Sequence, residues 1–287
     1  MRRRFQRLIW ILLSCLLAGT GNGEQLKYSL LGKDVILERI KQSLPKNNQR
    51  EEKIKELFTG AGCAPAMIEQ PVKAAGNPNV ICRLQGETDD EIIVGAHYDK
   101  VSRGTGTIDN WSGASLLPSL YQGLSSQKRH HTFLFIAFSG EEDGLVGSHF
   151  YVSHMSRDEV ARAKAMVNMD TLGLSFTKVW GDRADKKLLQ ALAVMSSSMK
   201  QPLAEVDVEN FGSADSESFA DKHIPRITIH SLTRETMDVL HSPADNLKAL
   251  RPDDYYDSYR LIQGYLAFLD VELPYSSADK AATDTKR

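Results

Sequence analysis

Apolar positions along this chain recur in two rhythms. Val35, Ile36, Ile40 and Leu44, then Ile54, Leu57 and Phe58, recur at helical spacing and predict two helices within residues 28–60, the second ended by Ala61-Gly62. Asn79–Leu84 predicts a strand and 85–90 a polar turn. Glu91–His97 predicts a second strand, its continuous apolar stretch suiting burial on both faces. Residues 112–125 predict a helix, and Thr132–Phe138 carries the strongest strand pattern. Beyond it the pattern predicts a helix near 145–154, strands at 165–170 and 178–181, and a helix over 186–199. A strand at 203–208, a short helix at 215–222 and a buried strand at 226–230 follow. A long helix over 252–269 places Tyr255, Tyr259, Ile262, Tyr265 and Leu269 at helical spacing. No repeat or linker interrupts residues 28–272. Strands alternating with helices predict one α/β domain over 24–275, a three-layer α/β/α sandwich with a mixed, largely parallel sheet. The Ala/Lys/Asp/Thr-rich stretch 276–287 is expected to be a disordered tail.

The first 23 residues follow neither rhythm. Arg2, Arg3, Arg4 and Arg7 precede an apolar run from Leu8 to Ala18, and small residues follow. This is the pattern of a secretory signal peptide, so a secreted or periplasmic protein is expected. The run falls short of the ~20 apolar residues that span a bilayer. The alternative is an uncleaved N-terminal membrane anchor. Without it, no stable membrane association is expected.

Composition narrows the classes. With 41% hydrophobic and 25% charged residues over 287, the chain is of ordinary globular make-up, which excludes disordered and collagen-like proteins. Removing residues 1–23 removes four arginines and no acid, taking the formal charge from −2 to −6. A mildly acidic chain lacks the basic balance of a nucleic-acid binder, so no nucleic-acid partner is expected. Cys15 leaves with the signal segment. Cys63 and Cys82 then either pair, as export favours, or remain two buried thiols; the disulfide is the expectation.

Candidate chemistry gathers just past the carboxyl ends of the predicted strands, where open α/β sheets place ligands. His97 and Asp99 close the strand ending at 97. Asp109 sits in the glycine-rich stretch 102–110. Glu141 and Glu142 follow the strand ending at 138, Asp170 closes the strand 165–170, and His241 lies in the loop after 226–230. Mixed imidazoles and carboxylates suit zinc, which takes nitrogen and oxygen ligands. Five ligands exceed what one catalytic zinc with an open position needs, and suit two metals sharing one bridging carboxylate. On extended backbone His97 and Asp99 share a face, so Asp99 can accept the free ring N–H of His97 and fix its tautomer. Of the adjacent Glu141 and Glu142, one can bind metal while the other stays unligated as a base.

The run Val94-Gly-Ala-His97-Tyr-Asp99, with Asp109-Asn110, Ser112-Gly113-Ala114, Phe138-Ser-Gly-Glu141-Glu142 and Gly144-Leu145-Val-Gly-Ser148, resembles the M28 family of zinc aminopeptidases. Asn168-Met-Asp170-Thr-Leu-Gly173 and His241-Ser-Pro-Ala-Asp245-Asn246 extend the likeness to roughly residues 30–272. The resemblance implies two Zn2+ per chain. It implies that His97 and Asp170 bind one zinc, that Glu142 and His241 bind the other, and that Asp109 bridges them. Glu141 would be the general base and Asp99 the residue orienting His97. The implied reaction is hydrolysis of a peptide substrate, releasing its N-terminal residue. Glutaminyl cyclase, a single-zinc enzyme on the same fold, is the alternative. Two positions depart from the family pattern. Trp111 stands where a small residue is usual, which would narrow the cleft rim. Ser216 stands where the stretch around Asp215 usually carries histidine, which bears on the substrate-side wall. His230 closes a strand and is a candidate to line the cleft. His130 and His131 are expected at the surface before a strand.

Overall fold

The computed structural model describes residues 26–207 and 212–276. The expected signal segment 1–23, Val208 of the expected strand 203–208, and residues 277–287 of the expected tail lie outside the described residues.

Among the described residues, eight strands form one sheet: β1 (Met67–Gln70), β2 (Asn79–Leu84), β3 (Glu91–His97), β4 (Thr132–Phe138), β5 (Ala163–Met169), β6 (Lys178–Val179), β7 (Ala204–Glu205) and β8 (Arg226–His230). Their order is β1-β2-β4-β3-β5-β8-β6-β7. The central run β4-β3-β5-β8 is parallel, and antiparallel strands flank it. The helices are α1 (Lys33–Ile40), α2 (Asn47–Gly60), α3 (Ser112–Ala114), α4 (Leu117–Leu124), α5 (Val146–Ser153), α6 (Arg157–Arg162), α7 (Lys186–Met199) and α8 (Pro252–Glu272).

The strand period of two sorts the apolar residues into two layers. Ile92, Val94 and Ala96 of β3, with Phe133, Phe135 and Ala137 of β4, face a core built from α1, α2, α4, α7 and α8. Their alternates Ile93, Leu134, Ile136 and Phe138 face a smaller core with Val152, Phe219 and Ile224. The sandwich therefore has three layers, as the sequence pattern predicts. The tyrosine stripe of α8 buries its rings on the larger core, and each phenol finds a partner. Tyr255 donates to Ser112 O at 2.7 Å, Tyr265 to Leu188 O at 3.0 Å, and Tyr259 accepts from Leu31 N at 3.0 Å. Cys63 and Cys82 are joined as a disulfide, Cα atoms 6.1 Å apart, tying the turn before β1 to β2.

Several elements differ from the sequence expectation for physical reasons. The helix expected over 112–125 is broken into α3 and α4. Pro118 stands in the first turn of α4 and has no N–H to continue a ladder from α3. Edge strand β1 carries no clear alternation, and Ile68 on it is half exposed. Strands β6 and β7 are two residues each, shorter than 178–181 and 203–208. Residues 215–222 form a 3-10 rather than an α helix. His131 is buried rather than at the surface, its backbone N–H donating to Asp270 Oδ1 at 2.9 Å.

Register sets where the chemistry emerges. His97 pairs with Phe138, Gly95 with Asn168, and Met169 with Ile229. Strands β3, β4, β5 and β8 thus finish level, so the residues that follow them open onto one edge of the sheet.

Candidate metal centre

His97 ends β3, Glu141 and Glu142 follow β4, and Asp170 follows β5. Asp109 lies in the kinked segment Thr107–Trp111, where its own backbone and that of Asn110 leave helical geometry, and His241 in the loop beyond the 3-10 helix Arg234–Val239. All six side chains meet. His97 Nε2 lies 3.3 Å from Asp109 Oδ1 and 3.8 Å from both Asp170 Oδ1 and Glu141 Oε2. His241 Nε2 lies 3.3 Å from Asp109 Oδ2 and 2.9 Å from Glu142 Oε2. Asp109 therefore stands between two imidazoles, one oxygen towards each. Two donor trios result, His97–Glu141–Asp170 and His97–Asp109–Glu142, each with ligand atoms within 4.8 Å of one another. His241 joins the second through its contact with Glu142.

The loops bearing these residues are cross-tied. Asn110 Nδ2 donates to Met169 O at 2.9 Å, while its Oδ1 accepts from Thr171 N at 3.1 Å, so one amide grips both flanks of Asp170. Asp245 Oδ1 accepts from Ile108 N at 2.7 Å, and Asp245 O accepts from Thr105 N at 2.8 Å. These bonds lash the His241 loop to the Asp109 loop. Thr171 and His241 both hold positive φ, 55° and 54°, a strained backbone for residues with a Cβ and one that these ties keep in place.

Asp99 behaves differently from expectation. Its Oδ1 is 3.6 Å from His97 Nδ1, too far for a hydrogen bond. Its two oxygens instead accept from Glu141 N at 3.1 Å and Glu142 N at 3.2 Å. Two backbone donors leaving the end of β4 outcompete one ring N–H, so Asp99 fixes the di-glutamate turn.

Charge is unevenly supplied. Burial, with Asp170, Asp215 and Asp109 adding to it against His97, holds the Glu141 carboxyl well above its usual range. Burial and then Asp109 push Glu142 up to about 7. Burial opposes ionisation of Asp109, yet bonds to His241 and His97 hold it below the usual carboxylate range. Contact with Asp109 raises His241 to about 9. Burial raises Asp215 to about 7, and both its oxygens lack a hydrogen-bond partner. Glu142 Oε1 is likewise buried and unpartnered. More carboxylates than cations, with a buried acceptor left over, fit a site built to hold positive ions.

The cleft, about 380 Å3, is lined by the acidic cluster and by an apolar group, Trp180, Ala214, Leu232, Met237 and Leu240. This apolar group was not legible in the sequence, because it comes from short 3-10 and loop segments with no periodicity. Trp111 is not at the rim. It is fully buried, its ring N–H donating to Arg39 O at 3.1 Å, so the expected narrowing does not occur. Ser216 is buried, its Oγ 2.7 Å from the Oγ1 of Thr228, which itself lines the cleft. His230 does line the cleft. It accepts from Leu232 N at 3.1 Å through Nδ1, and Nε2 lies 3.0 Å from Val206 O, which requires the neutral Nε2–H tautomer.

Burial lowers His230 to about 4, below its unfolded value near 6.5. A histidine favoured as neutral in the fold stabilises fully above the unfolded pKa. As pH falls from ~6.5 through about 4 the unfolded chain takes the proton first, and up to about 3 kcal/mol is lost. His230→Gln should therefore show a shallower fall of thermal midpoint between pH 7 and 4. Parallel Tm–pH curves for variant and unmodified chain would remove this assignment.

The fold and donor set define an α/β sandwich with a His/carboxylate cluster able to hold metal ions at its strand ends. The chain belongs to peptidase family M28, whose profile matches residues 79–266. Aminopeptidase YwaD of Bacillus subtilis is 40% identical over 89 residues, 31% of this chain and 20% of that protein. The structure of BSAP, a zinc aminopeptidase from Bacillus subtilis, is similar with a TM-score of 0.61 and 25% identity, over 66% of this chain and 49% of that one. The glutaminyl cyclase of an Acidobacteriales bacterium shares the fold with a TM-score of 0.71 and 16% identity, over 88% of this chain and 99% of that one. The chain thus spans about a fifth of YwaD and about half of BSAP.

Proposed function

We propose that this chain is an exported zinc-dependent aminopeptidase that hydrolyses the first peptide bond of a peptide, with two zinc ions at its strand-end centre. The position of Asp109 carries the reading. Its two oxygens face two different imidazoles at 3.3 Å each, as a carboxylate shared between two cations would. His97 and Asp170 would hold one zinc, Glu142 and His241 the other, with Asp109 common to both. The unpartnered Glu142 Oε1 supports cation binding. Bound zinc supplies Lewis acidity, polarising a carbonyl and making water easier to deprotonate at neutral pH.

The chain's own groups do the rest. Glu141 takes a proton from the attacking water and passes it to the departing nitrogen, which leaves as an amine. Asp99, bonded to the N–H groups of both glutamates, keeps the base aimed. The names of the relatives support release of N-terminal residues. Export rests on the pattern of residues 1–23 and is supported by the Cys63–Cys82 disulfide, since such pairs persist in oxidising compartments. Among the described residues, no helix is long and apolar enough to cross a membrane. Residues 24–275 would form the single catalytic domain.

The likeness to glutaminyl cyclase over that protein's whole length favours a second reading, a single-zinc cyclase. A Gln-initiated peptide separates the two. Two zinc equivalents and release of free glutamine are expected. One equivalent with a pyroglutamyl product and ammonia would hand the assignment to the cyclase.

A further inference from the structure

Arg50 is a fully buried arginine on α2, outside the stretch that matches the family profile. Among the described residues it forms no ion pair. Its guanidinium is spent on neutral acceptors instead. Nε donates to Tyr98 O, Nη2 to Gly106 O at 2.8 Å, and Nη1 to Thr105 O at 3.2 Å. It packs over the Trp111 ring, 5.2 Å from the centroid. Asn47, at the start of the same helix, accepts from Lys100 N at 3.2 Å.

Those acceptors bracket the chemistry. Tyr98 immediately precedes Asp99. Gly106, whose carbonyl also accepts Trp111 N at 3.1 Å, opens the turn that carries Asp109. The loop between them contains Gly104 and Gly106, both at positive φ, and has no regular structure of its own to fix it. A buried unpaired charge is costly, and a structural arginine is ordinarily matched with a carboxylate. Arg129 shows that ordinary arrangement, with Asp270 Oδ2 3.6 Å from its Nη1. At Arg50 the fork geometry meets three carbonyls from one loop, which a lysine's single ammonium cannot reproduce.

We infer that Arg50 is a positioning residue for the metal centre: it clamps the 98–106 loop so that Asp99 and Asp109 are held where the two glutamates and two imidazoles meet. The charge also has a use. Burial lowers Arg50 to about 10, so it stays protonated at neutral pH, and Asp99, Asp245, Asp109 and Glu142 are the acids that feel it. The N-terminal helices are thereby part of the site's support rather than only a cover for the core.

The inference rests on the two-zinc reading, and the experiment separates them. Zinc content of the unmodified chain tests that reading by itself. Zinc affinity is then measured by chelator competition in Arg50→Lys and Arg50→Gln, with Arg129→Lys as the control for loss of a buried arginine. Groups that support metal ligands typically change metal affinity by 10–100-fold. Both Arg50 variants should lose at least about tenfold in zinc affinity, with kcat falling while KM moves little, and Arg129→Lys should lower Tm without weakening zinc. Should an Arg50 variant be too unstable to assay, the rise of its Tm with free zinc still reads the affinity by mass action. That rise should begin at about tenfold higher zinc than in the unmodified chain. Coincident zinc curves for Arg50→Lys and the unmodified chain would overturn the inference, as would equal weakening in Arg129→Lys.

Discussion

Glu141→Gln is expected to lower kcat by ~10²–10⁴-fold while zinc content stays at that of the unmodified chain. The substitution is nearly isosteric and keeps the backbone N–H that donates to Asp99 at 3.1 Å, so the di-glutamate turn should stand. What it removes is an acceptor for the water proton. Glu141 suits that task because its carboxylate faces the His97–Asp170 side of the cluster while the second imidazole is taken by Glu142, 2.9 Å from His241 Nε2. The neighbouring Glu142→Gln should act on the other function and weaken zinc at the His241 side. Turnover and zinc content measured on both variants decide the matter. Near-normal turnover in Glu141→Gln would show that the base has been assigned to the wrong glutamate.

How far the sequence reaches can be judged from these same residues. Strand-end placement was legible because β3 and β4 are unbroken apolar runs, and a buried parallel strand can only end where polar residues begin. His97, Glu141, Glu142 and Asp170 are therefore legible as residues of one edge, and the level register of β3, β4 and β5 brings them together, while Asp109 and His241 reach that edge from loops. The true partners of Asp99 were not legible, and the expected pairing with His97 does not form. Alternation says which face a side chain shares, but not that two N–H groups from another strand's end will claim its oxygens. Trp111 misled for a similar reason, since adjacency to Asp109 in sequence says nothing about a turn that sends one side chain into the cluster and the other into the core. Arg50 and the apolar wall around Trp180, Met237 and Leu240 lay beyond reach because loop conformation fixes their neighbours, and loops carry no period.

A peptide with a free N-terminus should be processed with kcat/KM at least about 10³-fold above that of its N-acetylated twin. The expectation comes from the charge of the cleft. Asp109, Glu141, Glu142 and Asp170 all line it, and Glu141 is the carboxylate left free of metal in the proposed arrangement, where zinc held by Asp109 and Asp170 would remove the repulsion that raises it and favour its ionised form. Asp99 contributes nothing at the rim, being buried and committed to the di-glutamate turn. An α-ammonium held 4 Å from one such carboxylate gains about 4 kcal/mol at an effective dielectric of 20, which is a factor of ~10³. Acetylation removes that charge and adds bulk where the chain would otherwise end. A C-terminal carboxylate in the same place would be repelled by a similar amount, which disfavours removal of residues from the other end. Trp180, Leu232, Met237 and Leu240 share the cleft with the acids and would offer the terminal side chain an apolar place. Time courses on the two peptides, with products identified by mass, read the ratio directly. Equal cleavage of both, or fragments cut from the middle of the chain, would refute the claim that a free amino terminus is what this cleft selects.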